Sequence, residues 1–186
     1  MSRLLGRRWL LPAVVVGFLL VGGWWWSHPD VLDEEYGGSM RAAPVAWREG
    51  RVFSVGLTDP GHFPADGTLR LRSIAVHFGK APEEDPTVEV LRCREVRTEG
   101  GGTLAVGALQ RRPPREHECV AAEAGTVLGP EHQLVAVLHP GSPGRYRIAG
   151  LTIGYRLDRA HLWRTGTETM STSVSVGFRV SVGFRE

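Results

Sequence analysis

The sequence predicts an all-β protein, an antiparallel β-sandwich of immunoglobulin-like type preceded by one transmembrane helix. Three observations lead there. From Arg51 onward, short strand-like runs recur about every 8–15 residues between Gly, Pro and Asp turns. No stretch beyond the first 26 residues carries a helical period. The amino-terminal run Trp9–Trp26 holds no charge at all. A small β-barrel is the alternative closure for the same strands. The chain divides accordingly into a cytoplasmic tail (1–8), the membrane helix (9–26), a linker (27–50) and an extracytoplasmic sandwich (51–186).

Residues 9–26, WLLPAVVVGFLLVGGWWW, would make about 27 Å of helix, enough to cross a hydrocarbon core. Arg3, Arg7 and Arg8 precede the run, and Asp30, Asp33, Glu34 and Glu35 follow it. Basic residues resist translocation, so the amino terminus is expected in the cytoplasm and the remainder outside. Trp24, Trp25 and Trp26 stand where interfacial aromatic rings belong. A cleaved secretion signal is the rival reading. The run exceeds the usual apolar core of about 7–15 residues, and GGWWWSHPD lacks a small-x-small cleavage step. An uncleaved anchor in the cell membrane is therefore expected, with the lipid bilayer as its first partner.

Of the 22 Lys and Arg residues, three lie before the apolar run, whereas all 20 acids lie after it. Residues 27–186 thus carry 19 − 20 = −1, which argues against nucleic acid as a partner. One lysine, no asparagine and abundant Ala, Gly, Val and Arg point to a GC-rich, bacterial coding sequence. Cys93 and Cys119 are the only cysteines, and both fall outside the membrane. A pair in an oxidising compartment is most simply a disulfide. A metal pair would need further ligands, and only His117 is near in sequence.

Residues 27–50 are acidic and then Gly/Ser/Pro-dotted, which reads as a spacer, with Trp47 the first residue to dock. RVFSVGL (51–57) alternates as a strand. In GTLRLRSIAVHF (67–78) the apolar positions change phase between Leu69-Leu71 and Ile74-Val76-Phe78. A period of two can change phase only through an extra residue, so a β-bulge is expected near Arg72-Ser73. TVEVLRCREV (87–96) and TLAVGAL (103–109) are further strands, and HECVAA holds Cys119. The intervening RRPPRE (111–116) has two prolines and must be a loop. Its Arg111, Arg112 and Arg115 form the most distinctive exposed patch, the place to look for an acidic partner or a cell-wall polymer.

QLVAVLH (133–139) has five consecutive apolar residues, the mark of a strand covered on both faces. RYRIAGLTIGYRL (145–157) changes phase at Ala149-Gly150, which predicts a bulge or a crossing between sheets. Last, VSVGFR at 174–179 repeats at 180–185. Val174, Val176, Phe178, Val180, Val182 and Phe184 share one face of a long half-buried strand.

The chemistry of known sites is not found in these residues. A blue-copper centre needs a Cys followed closely by His and Met. After Cys119 the next are His132 and Met170, so a cupredoxin-like, metal-handling domain stands only as the alternative function. His77, His117, His132, His139 and His161 are scattered. There is no G-x-S-x-G elbow, no H-E-x-x-H and no phosphate loop before a helix. No catalytic residue, cofactor or metal ligand is assigned. The expectation is a non-enzymatic, membrane-anchored interaction or accessory module whose partner is another membrane or envelope protein.

Overall fold

The computed structural model describes residues 5–27, 39–41, 44–80, 86–94, 96–97, 103–104, 108–109, 111–113, 117–159 and 162–179. Helix α1 runs from Leu5 to Ser27, with Pro12 inside it. Its side chains are described from residue 12 to residue 24. Among the described residues no helix is long and apolar enough to cross a membrane. The side chains of Trp25 and Trp26, like those of Arg7 and Arg8, lie outside the description, and Arg3 is beyond it altogether.

Among the described residues the remainder is mostly strand, in two main sheets with no closed barrel. In the first sheet the order is β1 (Ser39–Arg41), β13 (Leu162–Arg179), β12 (Gly144–Arg159), β4 (Thr68–Lys80) and β10 (Val127–Leu128). Strand β2 (Val45–Ala46) also pairs with β13. In the second sheet the order is β8 (Ala108–Leu109), β3 (Phe53–Gly56), β11 (His132–His139), β5 (Thr87–Arg94) and β9 (Val120–Ala121). Strands β6 (Val96–Arg97) and β7 (Thr103–Leu104) form a separate ribbon. All pairings within the two sheets are antiparallel except β1 and β2, which run parallel to β13. The chain crosses between the two sheets from β2 to β3, β3 to β4, β4 to β5, β9 to β10, β10 to β11 and β11 to β12.

The core lies between the sheets. Leu69, Leu71, Tyr146, Ile148, Leu151, Ile153, Val174, Val176 and Phe178 point in from the first, and Phe53, Val55, Leu134, Ala136 and Leu138 from the second. Both expected phase changes are bulges. Gly154 pairs with Ser73 and Tyr155 with Leu71, so Arg72 is the extra residue, and Leu69, Leu71, Ile74, Val76 and Phe78 all reach one core. At Ala149 strand β12 slips against both neighbours, which brings Tyr146-Ile148 and Leu151-Ile153 onto the same face. Each irregularity is matched by a glycine where backbone or side chain comes close. A Cβ on Gly150 would stand 2.8 Å from the Met170 carbonyl oxygen, and one on Gly154 would strike the Ser73 hydroxyl.

Two features differ from the sequence reading. The second half of the expected linker is not spacer, because Met40 registers with Val174 and Val45 with Phe178. Val45 is buried and Trp47 packs against the core. The 103–109 segment is two short strands in different sheets, β7 with β6 and β8 with β3. The second copy of the duplication, 180–185, lies outside the described residues.

Candidate functional site

The outer face of the second sheet is where buried chemistry gathers. Strand β11 alternates, with Leu134, Ala136 and Leu138 inward and Val135 and Val137 outward, yet all five are at most 1% exposed. Something must therefore cover the outward valines. Val135 registers with Leu91 and Gly56, and Val137 with Glu89 and Ser54. Leu91, Cys93, Val135 and Val137 form a second apolar cluster, joined by Val52 and Cys119.

Over Val137 the cover is the start of the Arg/Pro segment, residues 111–112. Ser54, fully buried, donates its hydroxyl to the Arg111 carbonyl at 2.7 Å. Arg112 sends two guanidinium nitrogens to Glu89, Nη2 to Oε2 at 2.6 Å and Nη1 to Oε1 at 3.4 Å. Ser54, Val137 and Glu89 are one register row across three strands, so residues 111–112 run along that row as a strap. The forked geometry orients the strap more than it stabilises it, since both side chains are a third or more exposed.

The disulfide fixes the other end. Cys93 on β5 bonds Cys119, which stands one residue ahead of β9, the strand paired with β5. The expected disulfide is formed, with the Cα atoms 4.0 Å apart on neighbouring backbone of one sheet. Cys93 is 1% exposed, and His117 beside the bridge is also buried. Glu118 is held at φ 40°, a left-handed conformation that costs a non-glycine residue about 1–3 kcal/mol. Between strap and sheet remains a cavity of about 290 Å³ lined by Glu89, Leu91, Arg112, Pro113, Glu118, Cys119 and Ala121.

No protein-family model matches the chain, and no curated protein resembles it significantly. The site is therefore read from its own geometry.

At one end of β11, His132 is buried. Its Nδ1 accepts the Gly129 N–H at 2.9 Å. Burial pushes its pKa below the ordinary histidine value, helped by the Arg92 and Arg94 guanidiniums and opposed by the Glu131 carboxylate. At neutral pH the ring is thus uncharged, and the 3.4 Å approach of Glu131 to Nδ1 is not an ion pair. His139 sits at the far end of the same strand, 4.0 Å from Glu89. Seven residues of strand separate the two rings by about 23 Å. His77 belongs to the other sheet, where Nε2 meets Thr152 Oγ1 at 2.6 Å. Among the described residues no three His, Cys, Asp or Glu side chains come together as metal ligands would. His161 and Arg115 fall outside the description.

Of the expected patch, then, Arg112 already holds a carboxylate of its own chain, and Arg111 is fastened through its backbone while its side chain faces solvent. The residue that the sequence reading passed over is Glu89. Alternation in TVEVLRC puts Glu89 on the face of Leu91 and Cys93, which was the available signal.

Proposed function

We propose that this chain is a single-pass, membrane-anchored interaction module, with its amino terminus in the cytoplasm and its sandwich outside. It binds another membrane or envelope protein and carries out no chemistry of its own. The observation that carries the anchor is the exposure of α1. Val14, Val15, Val16, Phe18, Leu19, Leu20, Val21 and Trp24 are each 51–76% exposed, on every side of the helix. An apolar helix whose large side chains are mostly exposed on every side, although it approaches β13, is matched to lipid rather than to water. Eight such side chains favour a bilayer by an amount on the order of 10 kcal/mol. They lie within the longer charge-free run Trp9–Trp26, with Arg3, Arg7 and Arg8 on the side that stays in.

The sandwich is of immunoglobulin-like type in this reading. What supports it is the order β3–β11–β5 facing β13–β12–β4, the same partition as the B, E, D and G, F, C strands of that architecture. The parallel addition of β1 and β2 to the last strand agrees with it. So does Tyr146, at the start of β12, whose hydroxyl donates to the Ser142 carbonyl at 2.8 Å, four residues upstream. A tyrosine corner of this kind marks the same position in such domains.

The test is made in intact cells with the full chain. Alkaline extraction should leave it in the membrane fraction, and Val15→Arg with Leu19→Arg should release it. A photo-crosslinker replacing Arg111 should give discrete adducts with an envelope protein. Release of the unaltered chain by alkali would refute the anchor, and absence of adducts from any exposed face would refute the module.

A further inference from the structure

Strand β4 is a central strand on one side and an edge on the other. Strand β12 pairs with it from Thr68 to Lys80. On the opposite side, β10 registers only with Leu69 and Arg70, and the preceding turn adds two bonds at Leu71: Leu71 N–H to the Thr126 carbonyl, and Gly125 N–H to the Leu71 carbonyl. Beyond the Arg72 bulge, no strand among the described residues pairs with Ser73–Gly79 on that side.

Sheet proteins usually blunt such an edge with charge, proline or brevity. Between Ser73 and Gly79 this one does none of these, and its bulge at Arg72 lies before that stretch. Ser73-Ile74-Ala75-Val76-His77-Phe78-Gly79 contains no proline, lysine, arginine or acid. Ile74, Val76 and Phe78 pack on the core but stay only half-buried, while Ser73, Ala75, His77 and Gly79 are exposed. Another strand laid alongside would cover the three apolar side chains and satisfy the row of backbone groups at once.

Charge says what that strand carries. Where the open edge begins, a groove of about 450 Å³ is lined by Arg70, Arg72, Arg156, Thr165 and the Ala124-Gly125 turn. Asp158 serves two of the guanidiniums, at 3.7 Å from Arg70 and 2.7 Å from Arg156. Arg72, the bulged residue, is exposed and has no acidic partner among the described residues. Lys80 ends the strand.

We infer that the β4 edge receives an extended segment of a partner protein by strand addition, apolar at alternate positions and acidic where it meets Arg72. This rests on the reading of the domain as an interaction module and names the partner's chemistry. Arg72 stands at the bulge, exposed beside the open edge, where its guanidinium can take an incoming carboxylate through two hydrogen bonds.

The experiment uses the full chain in lipid nanodiscs and a fluorescent peptide of alternating valine and threonine flanked by glutamates. The peptide should bind and should slow amide exchange at residues 73–79. Arg72→Glu should weaken it by about tenfold and shift the preference to a lysine-flanked peptide. Arg145→Glu, at the other end of the same sheet, should change affinity by less than about twofold. Equal loss in both variants, or protection elsewhere, would overturn the inference. So would amides 73–79 that become protected with protein concentration and no peptide, since a second copy would then be the occupant. A chain that crosslinks a partner through Arg111 but leaves 73–79 unprotected by peptide keeps the module and loses this edge.

Discussion

Phe178 ties the last strand to the rest of the domain, and its removal measures how much that strand matters. The ring is 3% exposed. It meets Phe53 edge-on at 6.2 Å and Tyr146 at 5.6 Å, so it bridges the two sheets and the start of β12. In register it stands between Val45 of β2 and Gly144 of β12. Truncating a buried phenylalanine costs about 3–5 kcal/mol, because the transfer term is joined by a cavity. Each edge-on ring pair is worth about 0.5–1.5 kcal/mol beyond its area, which places Phe178→Ala toward the upper part of that range. Against a domain stability of about 5–15 kcal/mol this is a large fraction. Ser171→Ala, exposed on the outer face of the same strand, should cost less than about 0.5 kcal/mol. Guanidinium unfolding of the full chain in detergent, followed by near-ultraviolet circular dichroism, compares the two. Hydrogen exchange at Val45 should also quicken in Phe178→Ala, since β2 loses the side chain it lies beside. Equal and mild effects of the two substitutions would refute the packing of β13 described above.

Other perturbations probe separate features. Removing the Cys93–Cys119 bridge, which spans 26 residues, should cost about 3.5 kcal/mol in the chain-entropy model. It should also raise the binding of an apolar dye, as Val135 and Val137 lose their cover. Gly150→Ala should destabilise by about 1–3 kcal/mol, because its methyl group meets the Met170 carbonyl, and thermal unfolding reads this directly. Glu118→Gly should stabilise by roughly 1 kcal/mol by relieving the left-handed backbone before Cys119. His132 is depressed in the folded state, so the unfolded chain takes up its proton first as pH falls. Its contribution is whole above the ordinary histidine value of about 6.5 and is lost as pH falls from there through the lower folded value. His132→Asn, which keeps an acceptor for the Gly129 N–H, should flatten the stability profile on the acid side of that value.

The features legible in the sequence were those that a period of two can report. Arg72 and Ala149 announced themselves as phase changes, because an apolar strand cannot bury both halves without an extra residue. The five apolar residues of β11 announced a strand covered twice, and Val135 and Val137 are indeed buried outward. What covers them was not legible. The strap depends on Arg112 reaching Glu89 from 23 positions away, and local pattern carries no trace of such a return. Strands β1 and β2 were hidden for a different reason. They are three and two residues long, too short for any period, and they exist because β13 offers them an edge. The burial of His132 was equally silent, since a histidine next to Gln133 at a strand end reads as solvated.

The anchored orientation of the whole chain is what most directly decides the account, and cysteine labelling measures it. Ser2→Cys and Ser171→Cys are each made in the full chain, and intact cells are treated with a membrane-impermeant thiol reagent. Ser171→Cys should react, whereas Ser2→Cys should react only after the cells are opened. Labelling of Ser2→Cys from outside, or protection of Ser171→Cys until lysis, would contradict a sandwich held outside the membrane by an amino-terminal helix.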